Sequence, residues 1–512
     1  MKRPHLEVNL GELDQLLDQA TSAPMAVSDS AKVKTALHAL AERLLARGRS
    51  SEKTRNVVPP ASPEAAPAPP TSTETTEEPA AAPRKPGHGR IPAEDYVAAE
   101  RQKVAHPELQ HAGLCPECPK GKVYVQKAPA TLVRIVGQAP LAARVIELER
   151  LRCNACGQVF TAPPPEDAGT AKFDETATAM IGLLKYGTGV PWNRLEALEQ
   201  ALGTPLPAST QWEVVQEGAE LLKPARDELE RQAAQAEVIH NDDTSIRILK
   251  IERPEGDERT GTFTSGLVAC AGDKQIALFY TGRQHAGENL GDVLRARAKE
   301  LPPPIQMCDA LSRNVPKGVE LLVANCLAHG RRDFVALAGS FPAECKYVLE
   351  TLGSVYVVDA EAREQKLSPE ARLALHQARS KPLMDELLRW CDRQLGQKLV
   401  EPNSALGQAI EYLRKHWKQL TLFLTQAGAP LDNNLCERAL KRAVLHRKNA
   451  LFYKSLNGAA VGDLFMSLIH TCALNHVNPS EYLVALLRNP QAVEAAPGRW
   501  MPWNFREAQN NP

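Results

Sequence analysis

The hydrophobic periodicity of the chain changes at Val238, where helical spacing gives way to short runs of β-forming residues separated by turn residues. These runs predict a three-stranded antiparallel meander, and they cover residues 238–240, 246–249, 262–269 and 275–280. A helical pattern then covers 287–301, a further strand pattern covers 305–308, and 321–324 form a candidate fifth strand. Such an order predicts a multidomain α+β fold in which flanking helices cover a mixed sheet.

The chain has 512 residues, which is too long for one ordinary hydrophobic core, so we expect several separately folded parts. Residues 50–89 are rich in proline and alanine and predict a disordered linker, because they cannot bury enough apolar surface to offset their ordering entropy. The other predicted parts are a short helical segment (1–49), a cysteine-bearing module (105–165), a helical, helix-turn-helix-like domain (173–232), the first part of the α+β core (236–339), a helical insertion (340–425), further core helices (426–487) and a C-terminal tail (488–512).

Two of the helical parts permit more than one interpretation. Residues 173–232 contain three helical patterns, which suit a trihelical DNA-binding unit or a plain helical connector. Leucines and valines over residues 33–44 have heptad-like spacing, but the run is shorter than the three or four heptads that a coiled coil needs. A short amphipathic helix is therefore favoured there over a dimerising coiled coil.

Composition narrows the class of protein. The 61 basic residues balance 61 acidic ones, which argues against a uniformly basic DNA-coating protein and allows local basic patches. No stretch reaches the roughly 18 apolar residues of a spanning helix, and no apolar run follows the early cations. We therefore expect a cytoplasmic protein without a membrane segment. Seven of the eleven cysteines are scattered through apolar or helical contexts and are expected to be reduced thiols.

The other four cysteines form two CxxC knuckles, Cys115–Cys118 and Cys153–Cys156, separated by 34 residues. Each knuckle can aim two thiolates at one ion, so the pair predicts a four-cysteine zinc ribbon. Four protein ligands leave no open coordination position, which makes the predicted zinc structural. Two disulfides are the alternative, and they are uncommon in a cytosolic chain. A ribbon can bind DNA or brace its neighbours, and the sequence leaves both roles open.

Three acidic residues are candidate ligands of a catalytic metal site. Asp242 and Asp309 come at the ends of predicted strands 67 residues apart, and Glu437 lies 128 residues further on, in the first turns of a helix that Asp432 or Asn433 can cap. An oxygen-only site of this kind suits Mg²⁺ or Mn²⁺ and not zinc. Two such ions about 3.5 to 4 Å apart serve in-line displacement at a phosphodiester. On spacing alone, solvated surface carboxylates remain the alternative.

Basic side chains near these carboxylates are the candidate DNA contacts. Arg331 and Arg332 can clamp phosphates, and a dense basic segment follows Glu437; it comprises Arg438, Lys441, Arg442, Arg447 and Lys448. His329 lies three residues after Cys326, and its candidate roles are to contact DNA phosphate, to orient water or to serve as a structural histidine. Surface salt bridges and a solvated helix face are the alternatives for the cations.

From about Gly87 onward the chain resembles the insertion sequence 66 family of transposases. The resemblance rests on blocks of residues that occur in order along the chain. They are Asp242-Asp243-Thr244, Gly287-Glu288, Asp309, the block Cys326-Leu-Ala-His329-Gly-Arg331-Arg332-Asp-Phe334, the block from Asp432 to Leu440 with its Asp-Asn-Asn and Glu-Arg-Ala-Leu, His446-Arg447-Lys448-Asn449, and Leu451-Phe452.

The resemblance implies a DNA transposase of the DDE type with an RNase H-like core. It implies that Asp242, Asp309 and Glu437 hold two Mg²⁺ ions, that water releases a 3′-hydroxyl at each element end, and that this hydroxyl attacks target DNA. The implied partners are terminal inverted repeats, target DNA, at least one further copy of the chain in the synaptic complex, and small accessory proteins of the same element. A bacterial, nucleoid-associated location when bound to DNA is implied as well.

The chain also departs from the family pattern. Asp243 stands where the family usually has glutamate, so the choice of ligand between Asp242 and Asp243 depends on register, and we favour Asp242. The first 86 residues match only loosely. The alternative function is a catalytically inactive or domesticated relative that binds DNA and regulates, against which the three intact carboxylates argue.

Overall fold

The computed structural model describes residues 101–510, with gaps at 119, 127–130, 134, 136–137, 155, 157, 170 and 252–258. The predicted N-terminal helical segment (1–49) and the predicted linker (50–89) lie outside the described residues. The chain divides into two compact units, with a boundary between Pro140 and Leu141. In the first unit, Leu114 and Lys122 form an isolated antiparallel bridge.

The second unit begins with a small hairpin and three helices. The elements are β1 (Arg150–Arg152), β2 (Val159–Thr161), α1 (Glu175–Gly182), α2 (Trp192–Ala201) and α3 (Ala208–Ala233). Asp174 caps α1, because its carboxylate accepts a hydrogen bond from the Ala177 amide at 2.9 Å. The three helices agree with the three helical patterns expected over 173–232.

The mixed layer follows, and a block of helices is inserted after it. The strands are β3 (Val238–Ser245), β4 (Ile248–Lys250), β5 (Phe263–Ala271), β6 (Lys274–Gly282), β7 (Ile305–Cys308) and β8 (Leu322–Asn325), and α4 (Ala286–Leu294) lies between β6 and β7. The helices after β8 are α5 (Leu327–Leu337), α6 (Pro342–Glu364), α7 (Pro369–Arg379), α8 (Lys381–Gly396), α9 (Ala405–Lys415) and α10 (Trp417–Leu420). The last elements are α11 (Asn434–Ala450), β9 (Tyr453–Ser455), α12 (Leu456–Leu474), α13 (Pro479–Arg488), α14 (Pro490–Ala495) and α15 (Phe505–Asn510).

The central sheet has five strands in the order β6-β5-β3-β7-β8. Strands β3, β5 and β6 are antiparallel neighbours, whereas β7 pairs in parallel with both β3 and β8. The mixed sheet with flanking helices agrees with the α+β core that the order of strand and helix patterns predicts. One strand was misassigned: β4 was expected in the meander, but it pairs in parallel with β9 in a separate two-stranded ribbon.

Two hydrophobic cores share the sheet. One core joins α1, α3, α11, α12 and α13 to strands β3, β5 and β6. The other joins β7 and β8 to the inserted helices from α5 onward. Because the cores meet at the boundary between β3 and β7, the acidic residues on these two strands lie where both halves of the fold come together.

Helix α12 covers the free edge of the sheet with a ladder of polar side chains, here called the edge ladder. Four side chains at intervals of four residues bind the backbone of β6; they are Asp463 on Thr281, Ser467 on Phe279, Thr471 on Ala277 and Asn475 on Gln275. Residues four apart lie on one helix face, so a single face of α12 satisfies the edge amides. An unprotected edge would invite pairing with another strand.

Three boundaries differ from the sequence expectations. Helix α4 ends at Leu294 and not near 301, and the short strand β9 interrupts the predicted C-terminal helices. Residues 490–510, which lie in the segment 488–512 that was expected to be a tail, instead form short helices, and the Trp500, Met501 and Phe505 side chains are buried in the first core. None of the helices within the described residues is long and apolar enough to cross a membrane.

Candidate active site

Asp242 and Asp309 lie at matching positions of two neighbouring parallel strands. The register of β3 and β7 pairs His240 with Met307, and each aspartate comes two residues after its strand's member of that pair. Asp309 directly follows the end of β7. Asp242 was expected to end its strand, but β3 continues to Ser245 because it stays paired with β5 beyond the point where β7 stops.

Asn314 joins the two aspartates. Its Nδ2 group lies 3.2 Å from Asp242 Oδ1 and 2.5 Å from Asp309 Oδ1. Two buried amides fix the Asn314 backbone, because Gln306 and Asn241 donate to its carbonyl oxygen at 2.6 and 2.7 Å. Asn314 is not among the site residues that the sequence predicts. The signal that was available is the pair of amide side chains inside otherwise apolar strand patterns.

The two aspartates share a partly desolvated environment. The pKa of Asp242 is raised to about 6, chiefly by burial; hydrogen bonds from the Asp243 amide and Asn314 lower it, and the charges of Asp309 and Asp243 add to the rise. The hydrogen bonds that the Asp242 carboxylate accepts from the described residues both end on Oδ1. Its second oxygen is therefore open to another ligand.

Asp243 points to the other side of β3 and is held by the basic side chains of His285 and Arg313. His285 Nδ1 lies 2.7 Å from Asp243 Oδ2, and Arg313 lies 3.5 Å from Oδ1. The Gly287-Glu288 pair positions His285 and Arg313 beside Asp243. Glu288 accepts a hydrogen bond from the His285 amide at 2.9 Å, and a Cβ on Gly287 would lie 2.6 Å from the Arg313 carbonyl oxygen. Both oxygens of Asp243 are thus engaged, unlike those of Asp242.

Glu437 lies in the first turn of α11, and Asn433 ties this end of the helix to the sheet. The Asn433 amide donates to Cys326 Sγ at 3.2 Å, its side chain donates to the Asn241 carbonyl at 3.0 Å, and its Oδ1 lies 3.1 Å from His240 Nδ1. Asn433 was expected only as a helix cap. Its buried amide fixes α11 against β3, and this is what brings Glu437 to the same part of the molecule as the aspartates.

Gly266 lets α11 approach the sheet beside Asp242. It is the β5 residue paired with Asp242, and a Cβ there would lie 3.0 Å from two side-chain carbons of Leu440. Cys436, next to Glu437, donates to the Gly266 carbonyl at 3.2 Å. The absence of a side chain at position 266 therefore determines how closely the glutamate-bearing helix packs.

Glu437 is grouped with His329 and not directly with the two aspartates. His329 Nε2 lies 3.8 Å from Glu437 Oε1, and Arg332 approaches the same oxygen at 4.0 Å. Ligand atoms of Cys326, His329 and Glu437 lie within 4.8 Å of one another, which is the one group of three potential ligands found among the described residues. The three predicted carboxylates do not meet that distance together.

Cys326 has the environment of a structural thiol. Burial raises its pKa to about 11, and its sulfur already accepts the Asn433 amide. Metal ligation requires the thiolate, so these surroundings disfavour a zinc ion held by Cys326 and His329. None of the cysteines within the described residues forms a disulfide.

The predicted basic residues divide into two groups. Arg442 donates to the Gly187 carbonyl at 3.0 Å, and Arg447 donates to Thr244 Oγ1 at 2.9 Å, so both brace α11 against its neighbours. The other three, Arg438, Lys441 and Lys448, are exposed along one face of the helix. Arg331 interacts electrostatically with Tyr356, away from the Glu437 contact that Arg332 makes.

The first cysteine knuckle has the geometry of a metal-binding turn. The Cys118 amide donates to Cys115 Sγ at 3.4 Å, and the Cys115 amide donates to the Gly121 carbonyl at 2.9 Å. The backbone amides of Cys118 and Glu117 lower the pKa of Cys115, which favours the thiolate. In the second knuckle the Cys153 amide donates to the Gln158 carbonyl at 2.9 Å. The four-cysteine zinc site stays a prediction.

The protein is an α/β protein with a mixed sheet, acidic residues at matching positions of β3 and β7, and a basic helix beside them. Residues 171–461 match the sequence model of the transposase IS66 family, and the chain belongs to that family. Membership makes DNA the partner of this protein.

Three relatives occur in Sinorhizobium fredii (strain NBRC 101917 / NGR234). The uncharacterized protein y4hP is 26% identical over 442 residues, which are 82% of this chain and 77% of y4hP. The uncharacterized protein y4jD is 32% identical over 201 residues, 37% of each chain. The uncharacterized protein y4qI is 30% identical over 188 residues, 36% of this chain and 34% of y4qI. The last two similarities are therefore confined to about a third of each protein.

Proposed function

We propose that this protein is a DDE transposase of an insertion sequence, which binds element ends and catalyses metal-dependent hydrolysis and strand transfer with Asp242, Asp309 and Glu437. The observation that carries the proposal is the Asn314 side chain, which contacts both aspartates and holds them at matching positions of parallel strands. The three antiparallel strands extended by two parallel ones support the proposed RNase H-like core.

The donor set fits a pair of divalent cations. All three side chains offer carboxylate oxygens, the ligands that Mg²⁺ and Mn²⁺ prefer. Two like charges are held together in Asp242 and Asp309, and Glu437 Oε1 is buried without a hydrogen-bond partner. Two ions about 4 Å apart, with bonds of about 2 Å, connect oxygens separated by up to about 8 Å. Glu437 therefore does not need to touch the aspartates.

Asp242, Asp309 and Glu437 would hold two Mg²⁺ ions, which supply activation of the attacking oxygen and stabilisation of the leaving one. We favour Asp242 over Asp243 as the ligand on β3, because both oxygens of Asp243 are engaged by His285 and Arg313. Asn314 keeps the two aspartates at a fixed separation, which preorganises the site before DNA arrives.

The proposed reaction has two displacements at phosphorus. In the first, water attacks the phosphodiester at the element end, the bond from phosphorus to the 3′ oxygen breaks, and that oxygen leaves as a 3′-hydroxyl. In the second, the hydroxyl attacks a target phosphodiester and loses its proton, while a target 3′-hydroxyl is released. His329 stands beside Glu437, where it contacts phosphate or orients water, and Arg332 adds positive charge. No covalent protein intermediate is needed.

Further parts of the chain are proposed to bind DNA and partners. Arg331 and the α11 cations, Arg438, Lys441, Arg442, Arg447 and Lys448, are proposed to contribute positive charge to the DNA surface, with Arg442 and Arg447 doing so while bracing the helix. The helices α1 to α3 form the proposed trihelical DNA-binding domain, and a structural Zn²⁺ is proposed on Cys115, Cys118, Cys153 and Cys156. Synapsis of two ends implies at least a dimer, assisted by small accessory proteins of the element.

Strand-transfer assays test the proposal. The substrate is DNA that carries the terminal repeats flanking the gene, incubated with Mg²⁺ and, separately, without added divalent cation. We expect cleavage and joining by the wild-type protein with Mg²⁺ only, and loss of both in Asp309→Ala. Strand transfer that survives Asp309→Ala would contradict the assignment. Binding of the ends by a wild-type protein that never cleaves them would favour the alternative, a DNA-binding regulator.

A further inference from the structure

A mixed apolar and cationic surface lies beyond the C-terminal end of α11, and the catalytic proposal does not use it. The ribbon of β4 and β9 exposes its outer face, because Ile248 and Tyr453 are the buried pair of the register. The residues on the outer side are Arg247, Leu249, Phe452 and Lys454, and all are exposed. Leu249 is 46% exposed and Phe452 is 40% exposed.

Leu451 adds a strained residue to this surface. It ends α11 with φ at +68°, its amide donates to the Arg447 carbonyl at 2.8 Å, and its side chain is 66% exposed. Glycine is the usual residue at a positive φ, because a side chain is strained there. The leucine gains little burial in return for that strain. A strained, exposed apolar residue in this setting points to a contact outside the chain.

The charge around the surface identifies the contact. Between Glu437 and Asp463 the sequence contains six lysines and arginines and no acidic residue. Arg438, Lys441 and Lys448 lie with Leu445 on one exposed stripe of α11, since their spacings are three and four residues. Such a cationic stripe complements a phosphate backbone, and a protein partner of ordinary composition would not need it.

We propose that Leu451 and Phe452 form an apolar wedge that inserts between base steps of DNA whose backbone lies along the α11 stripe. Proteins that kink DNA insert phenylalanine or leucine in this way and unstack the step. Leu451 lies fourteen residues after Glu437, which is about 21 Å along a helix, or about six base pairs of duplex. The wedge therefore opens the duplex a few base pairs from the site where strand cleavage is proposed.

The proposal rests on the proposed function for its substrate, and its test does not require cleavage. We would measure affinity without added Mg²⁺, which prevents cleavage and leaves a structural zinc ion in place, for a 40-base-pair duplex and for the same duplex with a two-base mismatch at its centre. A wedge binds the mismatched duplex more tightly, because the unstacking is already done. We expect Phe452→Ala to lose about tenfold of this preference, as loss of one base–aromatic stack does. Phe452→Trp should retain it, and Leu451→Gly should reduce it without lowering the melting temperature.

Two controls separate the wedge from general binding. Leu399→Ala removes an equally exposed leucine, 64% accessible, from the helical insertion and should leave the preference unchanged. Lys441→Ala should weaken binding of both duplexes by the same factor. It should also lower the slope of log affinity against log salt concentration by about one. A Phe452→Ala protein with the full wild-type preference would overturn the wedge. If Phe452→Ala keeps the mismatch preference but self-associates less in light scattering, the surface contacts a second copy of the chain, and the wedge is overturned as well.

The outcome is independent of the catalytic proposal. If the wild-type protein prefers the mismatched duplex but never cleaves element ends, the wedge stands and the DDE assignment fails. If Asp309→Ala abolishes cleavage while Phe452→Ala keeps its mismatch preference, the DDE assignment stands and the wedge fails.

Discussion

His329 Nε2 lies 3.8 Å from Glu437 Oε1, and this contact connects helix α5 to the helix that carries the proposed third ligand. We propose that His329, besides its contact with phosphate or water, helps to orient the Glu437 carboxylate. Partners that orient metal ligands typically contribute 10- to 100-fold to activity or metal affinity. We expect His329→Gln to lower the strand-transfer rate by about that factor and to raise the Mg²⁺ concentration needed for half-maximal rate. A lower melting temperature with an unchanged Mg²⁺ dependence would assign His329 a structural role.

Adjacent aspartates on β3 should respond differently to loss of charge. Asp242→Asn is expected to abolish strand transfer at every Mg²⁺ concentration. Asp243→Asn instead weakens the interactions with His285 and Arg313, and it should cost about 2 kcal/mol of unfolding free energy. Its residual activity should show the wild-type Mg²⁺ dependence. Urea denaturation and Mg²⁺ titration of both variants measure these effects, and the reverse pattern would make Asp243 the ligand.

Close packing at Gly266 should couple stability to activity. The added methyl group of Gly266→Ala would lie 3.0 Å from Leu440, so it should push α11 away from β5 at a cost of about 1 to 3 kcal/mol. Glu437 moves with the helix, and strand transfer should fall more than the folded fraction does. The double variant Gly266→Ala with Leu440→Ala makes room for the methyl group and should recover part of the activity. Failure of Leu440→Ala to relieve the defect would argue against this contact.

The edge ladder should stabilise the sheet through its hydroxyl groups. Thr471→Val keeps the shape of the side chain but leaves the Ala277 amide without its acceptor, and the same reasoning applies to Ser467→Ala at Phe279. An unsatisfied buried amide costs about 1 to 3 kcal/mol. Thr471→Ser retains the hydroxyl and is the matched control. Hydrogen exchange should show faster exchange at Ala277 in Thr471→Val and little change in Thr471→Ser.

Asp463 should make the protein less stable as the pH rises from about 4 to 7. Burial raises its pKa to about 7, although hydrogen bonds from Thr281 and the charge of Arg226 oppose this. The folded state therefore holds a proton that the unfolded chain releases near pH 3.8. The contribution is complete below that pH, is lost as the pH passes through about 7, and amounts to at most about 4 kcal/mol. Unfolding free energies of Asp463→Asn should lack this slope between pH 4 and 7.

Several local features were predictable because short-range patterns control them. Strand β7 forms over 305–308 as its apolar run predicts, and β8 and α5 begin within one residue of their expected positions. The helices over 173–232 and 340–425 follow their leucine spacing and capping residues. The positions of Asp309 after β7 and Glu437 in the first turn of α11 also follow from sequence alone.

Other features depend on residues far apart in the chain. The sequence does not show that β4 pairs with β9, because the two strands are separated by about two hundred residues and each is three residues long. It does not identify Asn314, whose bonds reach across 72 residues to Asp242. Short strands and single amides carry too little local preference to reveal such partners.

The sequence by itself determined the family, the three acidic candidates and the helices and strands that carry them, because motif blocks and hydrophobic period are local properties. Only the tertiary structure decided that Asp243 is engaged by His285 and Arg313 while Asp242 keeps an open oxygen. It also decided that Arg442 and Arg447 brace α11 while Arg438, Lys441 and Lys448 face solvent. Neighbouring residues of the same type receive different surroundings from the packing of distant elements, and those surroundings determine their chemistry.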